Sequence, residues 1–352
     1  MDGSRHMHMA DALISPAVGA TMWAASAGLI SFCSKKVKEE LDDRKIPLMG
    51  VVGAFIFAAQ MINFTIPGTG SSGHLGGGMI LAILLGPYAA FLTMASVLTV
   101  QALFFADGGL MALGCNIFNL GVFPCFIAYP LVYKKIVADN PGRGRLFAGA
   151  IISAILGLQL GALSVVFQTI FSGISDLSFG TFILVMQPIH LAIGIVEGLA
   201  TTAVVISVWR VRPEIIKAAT QSVPIERISI RKVIFVLLVV AAAMGGALSW
   251  FASSYPDGLE WSILKATRRT KPAGPQKGIH IPLANIQEKT ALLPDYDFKN
   301  GETEPKTETP KSWPEVDAGT TVSGLVGGVL TLFVTGLIGY LLRRRKRGKQ
   351  KI

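Results

Sequence analysis

The chain has 352 residues, 51% of them hydrophobic and only 15% charged, with a formal net charge of +10 and a mean hydropathy of +0.54. So little charge on so apolar a chain excludes a soluble globule. The Lys and Arg residues gather in four clusters, at 35–45, 134–145, 209–232 and the C-terminal end. They orient a membrane protein, and no nucleic-acid partner is needed to explain them.

In chain order, residues 1–6 (MDGSRH) read as an expression leader, and the natural chain then starts Met7-His8-Met9-Ala10-Asp11. The leader is left out of the fold reasoning. Uncharged apolar runs follow at 13–33, 48–67, 75–105, 110–133, 146–171, 182–206, 233–252 and 321–342, interrupted by the ionisable residues His190 and Glu197, with His74 at one edge. Each is near or above the roughly 20 residues that carry a helix across hydrocarbon. The first run has no basic flank before it, so no cleavable signal peptide is expected. These runs make the chain an all-α polytopic membrane protein.

The basic clusters lie on the cytoplasmic side by the positive-inside rule, which puts the N-terminus outside and the C-terminus in the cytoplasm. Three runs separate the first two basic loops, so one of them must enter and leave on the same side. The run 75–105 contains Gly86-Pro87, and proline breaks the helical hydrogen-bond ladder. Its first limb is too short to span at about 1.5 Å per residue. A broken, hairpin-like element is expected there, buried against protein. The loop TIPGTGSSGHLGGG (65–78) then faces outward, on the same side as His8.

Two histidines thus meet on one face. A free terminal amine, the His8 amide nitrogen and the His8 Nδ1 can chelate one ion in adjacent rings, and an imidazole from His74 completes four nitrogens in a plane. That set suits Ni(II) or Cu(II), whereas Zn(II) favours tetrahedral sites. The plainer alternative is a terminal histidine present by accident and a solvated loop histidine. Met9 is a soft thioether but also an ordinary packing residue. Asn63, Ser71 and Ser72 flank the loop and are candidates to orient the imidazoles from the outer shell.

His190 and Glu197 are seven residues apart, on one helix face and about 10 Å apart along the axis. They are read as structural or partner-contact polar groups, too separated to share one ion. Asn116 and Asn119 either assist the site or satisfy a broken helix near 108–114. Ala20, Ala24 and Gly28 form a small-xxx-small stripe, suited either to packing within the chain or to docking a partner. Cys33, Cys115 and Cys125 read as packing residues.

Residues 7–212 resemble the nickel/cobalt substrate-binding S components of energy-coupling-factor transporters, the NikM/CbiM family. The resemblance rests on MHMADALISP (7–16), INFTIPGTGSSGHLGGGMILAILLGPYAAFL (62–92), FFADGGLMALGCNIFNLG (104–121) and PIHLAIGIVEG (188–198). It implies an S-component helical bundle with an extra N-terminal helix that carries the terminus down into the protein. It also implies divalent-metal ligation by Met7, His8 and His74. Its partners would be a T-component membrane subunit and two cytoplasmic ATPases, in the inner membrane of a prokaryote. With Met1–His6 retained, Met7 has no free amine.

A cytoplasmic linker (213–232) leads to a second module, 233–352: helices at 233–252 and 321–342 enclose an extracytoplasmic loop, 253–320. The loop's start, SYPDGLEWSI (254–263), resembles the PDGLE signature of NikN, and the fused pair leans toward nickel. Asp257 and Glu260 are candidates to pass an incoming cation, or simply helix-end caps. The rest of the loop is Pro-rich with balanced charge, and a loosely ordered segment with a small folded part is expected. No GxxxxGK[ST], HExxH or GxSxG motif occurs, so ATP hydrolysis belongs to other subunits and no enzyme is indicated. Three functions stay open: capture of Ni(II), capture of Co(II) for cobalamin synthesis, and a membrane metal sensor or metalloprotein. The last would want a general base by an open metal position, and the sequence places no carboxylate near His8 or His74. No organic cofactor is expected.

Overall fold

A computed structural model of the chain describes residues 8–40, 45–138, 141–175, 177–221, 223, 229–268, 278–299 and 313–349. A single 3-10 turn, Asp11–Leu13, leads into α1 (Pro16–Glu40). Next come α2 (Lys45–Gln60), a two-stranded hairpin of β1 (Phe64–Ile66) and β2 (Ser71–Gly73), α3 (Gly78–Leu85) and α4 (Pro87–Phe104). Then follow α5 (Leu113–Val122), a π-helical stretch over Phe123–Tyr133, α6 (Lys134–Val137), α7 (Arg143–Ser172), α8 (Phe179–Val211) and α9 (Pro213–Gln221). The last part holds α10 (Arg231–Gly246), α11 (Gly258–Thr267), α12 (His280–Thr290) and α13 (Ala318–Lys349).

Among the described residues, six helical segments are long and apolar enough to cross a membrane: α1, α4, Leu113–Val137, α7, α8 and α13. α2 is shorter, and almost every residue in it is buried, between α13 and α10. The break inside 75–105 falls at Gly86, whose φ of +82° is a conformation glycine adopts without a Cβ penalty. The eight residues of α3 are all buried, so this half-helix lies in protein, where irregular backbone can be satisfied. The widened helix at 123–133 contains Pro124 and Pro130; proline supplies no N–H to the regular ladder.

α7 and α8 make the most extensive helix pair. A Cβ on Gly198 would stand 2.7 Å from the Ile151 Cα, and one on Gly194 would stand 3.0 Å from the Ile155 Cα. Small residues at the crossing let the two backbones approach closely. That approach sets His190 and Glu197, on the same stretch of α8, against the centre of the molecule.

The loop between α10 and α13 holds more regular structure than its composition suggests. α11 and α12 are both helical because they dock on the first half of the chain. The Gln287 amide donates to Ala102 O at 2.9 Å and to Gly108 O at 2.7 Å. Leu292 and Leu293 donate their N–H groups to Phe104 O. Expectations for 269–277 and 300–312 lie outside the described residues. The internal-packing reading of the α1 stripe is overturned: Ala20, Ala24 and Gly28 are exposed, and a Cβ on Gly28 would meet nothing within 4 Å. α1 turns Gly19, Ser26, Cys33 and Val37 inward instead. The three cysteines are buried and unpaired.

Candidate metal-binding site

The N-terminal segment is drawn into the protein by its main chain. Met9 N–H donates to Asn116 Oδ1 at 3.1 Å, and Met9 O accepts from Gly109 N–H at 3.0 Å and Asn116 Nδ2 at 3.2 Å. Asp11 Oδ1 accepts from Ala112 N–H at 2.8 Å. The turn that meets this segment needs glycine: Gly108 has φ +77°, and a Cβ there would press on the Asn116 amide and the His8 Cβ. Met9, Leu13 and Ile14 are buried behind it. His8 is 6% exposed, and this burial lowers its pKa below the usual histidine value, with Asp107 opposing. A neutral imidazole is the form that binds a metal. Met7 lies outside the described residues.

His74 follows β2, and its ring meets that of His8 edge to face, with centroids 5.5 Å apart. The loop behind it is held by Glu197, whose carboxylate accepts from Gly76 N–H at 2.7 Å and Gly77 N–H at 3.2 Å. Glu197 thus fixes the loop from α8. His190 Nδ1–H donates to Met186 O at 2.8 Å, and the ring lines the same cavity as His8 and His74. The sequence had set His190 apart from the loop; the α7–α8 packing brings it in. The cavity encloses about 80 Å³ and is also lined by Met9, Asn116, Asn119 and Asp257. Asn119 pairs with Gln168 through two hydrogen bonds, 2.8 and 2.9 Å.

Two carboxylates stand beside the imidazoles, correcting the expectation that there were none. His74 Nε2 is 3.4 Å from Asp257 Oδ2, and His8 Nε2 is 3.8 Å from Asp107 Oδ2. The first is missed in the sequence because Asp257 is 183 positions from His74; the second because Asp107 lies in a turn between two runs. Asp257 is also the N-cap of α11, with Oδ1 accepting from Leu259 N–H at 2.5 Å, a preferred role for aspartate. Glu260 lies in the first turn of α11 and is not among the residues lining the cavity.

Ser71, Ser72 and Asn63 bind the second half of the chain. Ser72 Oγ donates to Tyr255 O at 2.8 Å, and Ser72 N–H donates to Pro256 O at 2.8 Å. Ser71 Oγ shares its proton between Ser72 O at 3.0 Å and Pro256 O at 3.4 Å. Asn63 O accepts from Ser253 N–H at 2.7 Å, and Trp261 Nε1 donates to Thr69 O at 3.0 Å. The β-hairpin and the PDGLE stretch are therefore bound together, and Asp257 and Leu259 of that stretch line the cavity. Two glutamines were missed altogether. Gln60 and Gln101 are 0% exposed and stand inside apolar runs; their signal is a neutral amide at membrane depth, where an unpaired polar group is costly.

Among the described residues, no three His, Cys, Asp or Glu side chains are grouped as a metal site.

Apolar helices around a cavity lined by three histidines, two asparagines and an aspartate fit a membrane transport component. Residues 8–215 match the CbiM family, described as the cobalt uptake substrate-specific transmembrane region. Residues 231–344 match the PDGLE domain. The chain belongs to the CbiM family and carries a PDGLE domain behind it. It is 33% identical over 349 residues to a putative fused nickel transport protein NikMN of Archaeoglobus fulgidus, covering 97% of this chain and 99% of that one. A putative metal transport protein of Haloquadratum walsbyi is 37% identical over 210 residues, covering 60% of this chain and 93% of the relative. The crystal structure of a transition metal transporter aligns with a TM-score of 0.52 at 30% identity, over 59% of this chain and 95% of that one. The protein is a multi-pass membrane transport component and not an enzyme.

Proposed function

We propose that the chain captures Ni(II) for an ATP-driven importer of the energy-coupling-factor type, holding the ion with the Met7 and His8 nitrogens and the His74 imidazole. The observation that carries this reading is the burial of His8 against His74 in a cavity lined by both halves of the chain. The full-length similarity to a fused nickel transport protein favours nickel; a cobalt transport protein CbiM of Geobacter sulfurreducens, 27% identical over 220 residues, keeps Co(II) as the second reading. Four nitrogens in a plane strip the hydration shell and select Ni(II) over Zn(II).

In this reading the protein does no chemistry on its cargo. A T-component and two cytoplasmic ATPases supply the work, and the exposed Ala20–Ala24–Gly28 stripe of α1 is the face that suits a membrane partner. The N-terminus and the α11–α12 loop lie outside, and the C-terminus lies in the cytoplasm of a prokaryotic cell.

The test is a metal titration followed by absorbance, comparing the chain with one that starts at Met7. A diamagnetic yellow Ni(II) species that is stronger on the Met7-start chain supports a site built on the free amine. Equal binding by both chains removes the amine from the ligand set. Retained affinity in His74→Ala removes His74.

A further inference from the structure

An imidazole can give Nδ1 to a metal only when Nδ1 carries no proton, and in a buried histidine the partner of the other nitrogen decides this. His8 Nε2 lies 2.9 Å from Gln101 Oε1. A ring nitrogen opposite an oxygen acceptor must be the N–H, which leaves the Nδ1 lone pair free. What keeps the oxygen of Gln101, and not its NH2, turned toward His8?

The answer starts at the backbone. Gly76 O can only accept, so the Gln60 side chain points its Nε2 at it, at 2.9 Å. The Oε1 of Gln60 is then turned to the other side, where it accepts from Gln101 Nε2 at 2.9 Å. Gln101 has thereby committed its NH2 and presents Oε1 to His8. Each link has one allowed polarity. A second constraint comes from the C-terminal half: Tyr296 donates its O–H to Asp107 Oδ2 at 2.7 Å. That bond holds Asp107, whose Oδ2 is 3.8 Å from His8 Nε2 and is a further acceptor on the side where the N–H stands. Both glutamines are 0% exposed, so water cannot substitute for a lost link.

We propose that Gln60 and Gln101 are positioning residues that hold His8 in the Nε2–H tautomer and so deliver Nδ1 to the transported ion. The relay begins two residues after His74, so the segment that carries one ligand sets the protonation pattern of the other. The proposal rests on the reading of His8 as a ligand.

The test uses the full chain with 15N-labelled histidines in lipid nanodiscs, reading ring-nitrogen shifts without metal and Ni(II) affinity by competition; His8→Ala assigns the signal. In the wild type, His8 is expected as Nε2–H alone. Gln101→Met keeps the volume and removes the acceptor in hydrogen-bond range, leaving Asp107 Oδ2 at 3.8 Å: a mixture of tautomers and a fall of about 10- to 100-fold in Ni(II) affinity are expected. Gln60→Met, which touches neither imidazole, is expected to produce a smaller change of the same kind. Gln168→Met removes another buried amide pair and should leave the His8 shifts unmoved.

A wild-type His8 that carries its proton on Nδ1 overturns the proposal. So do both glutamine variants binding Ni(II) like the wild type while His8→Ala does not. Wild-type binding by His8→Ala refutes the site itself instead. If neither variant folds, the wild-type shifts alone decide.

Discussion

Glu197 offers the sharpest test of how the loop that carries His74 is held. Its carboxylate is 2% exposed and accepts from Gly76 and Gly77 N–H. Hydrogen bonds to a charged group contribute about 1.5–3 kcal/mol each. Glu197→Gln has nearly the same shape but keeps only one acceptor, so one buried N–H faces an NH2 group. The unpaired donor costs about 1–3 kcal/mol. Binding must then restore the order that the loop has lost. Taking about 2 kcal/mol, Ni(II) affinity falls by roughly 30-fold, since 1.4 kcal/mol is a factor of ten. The assay is competition titration with the absorbance spectrum, together with thermal unfolding in detergent. The thermal midpoint should fall, and the Ni(II) spectrum should keep its form because Glu197 is not a ligand. Unchanged affinity and midpoint would refute the anchoring role. A changed spectrum would place Glu197 in the coordination sphere.

Asp257→Ser separates two roles of one residue. Serine preserves the α11 cap but withdraws the carboxylate from His74 Nε2, so Ni(II) affinity should fall about tenfold or more with α11 intact; hydrogen exchange on α11 checks the second part. Gly108→Ala forces a Cβ into a left-handed conformation against the Asn116 amide. A loss of about 1–3 kcal/mol in stability is expected, with weaker metal binding because Met9 is displaced; a parallel melt and titration measure both. Tyr296→Phe removes the O–H that Asp107 accepts and leaves a buried carboxylate short of one donor. Its thermal midpoint should fall without loss of the Ni(II) spectrum. His190→Ala should also leave that spectrum unchanged, and an altered one would make His190 a ligand.

The apolar runs and their breaks were legible in sequence because hydrocarbon imposes a length and a polarity on every segment that crosses it. The Gly86-Pro87 break, the long helices α7 and α8, and the pairing of His8 with His74 all follow from local pattern and from counting crossings. The loop 253–320 was read by composition alone, and composition cannot see that α12 has a receiving surface at the end of α4.

The outer shell of the site was hidden for a different reason. Asp257, Tyr296 and Gln287 come from the second half of the chain, and Gln60 and Gln101 are neutral amides inside runs that otherwise say only "apolar". Serines beside His74 looked like its partners, yet their hydrogen bonds go to the PDGLE backbone. By itself the sequence determined which residue types were present, that the chain is a multi-pass helical membrane protein, and that two imidazoles, His8 and His74, belong together. Only the tertiary structure decided which groups orient them. Hydrogen-bond direction depends on which donor meets which acceptor in space, and here the partners are as far apart in sequence as Asp107 and Tyr296, 189 positions.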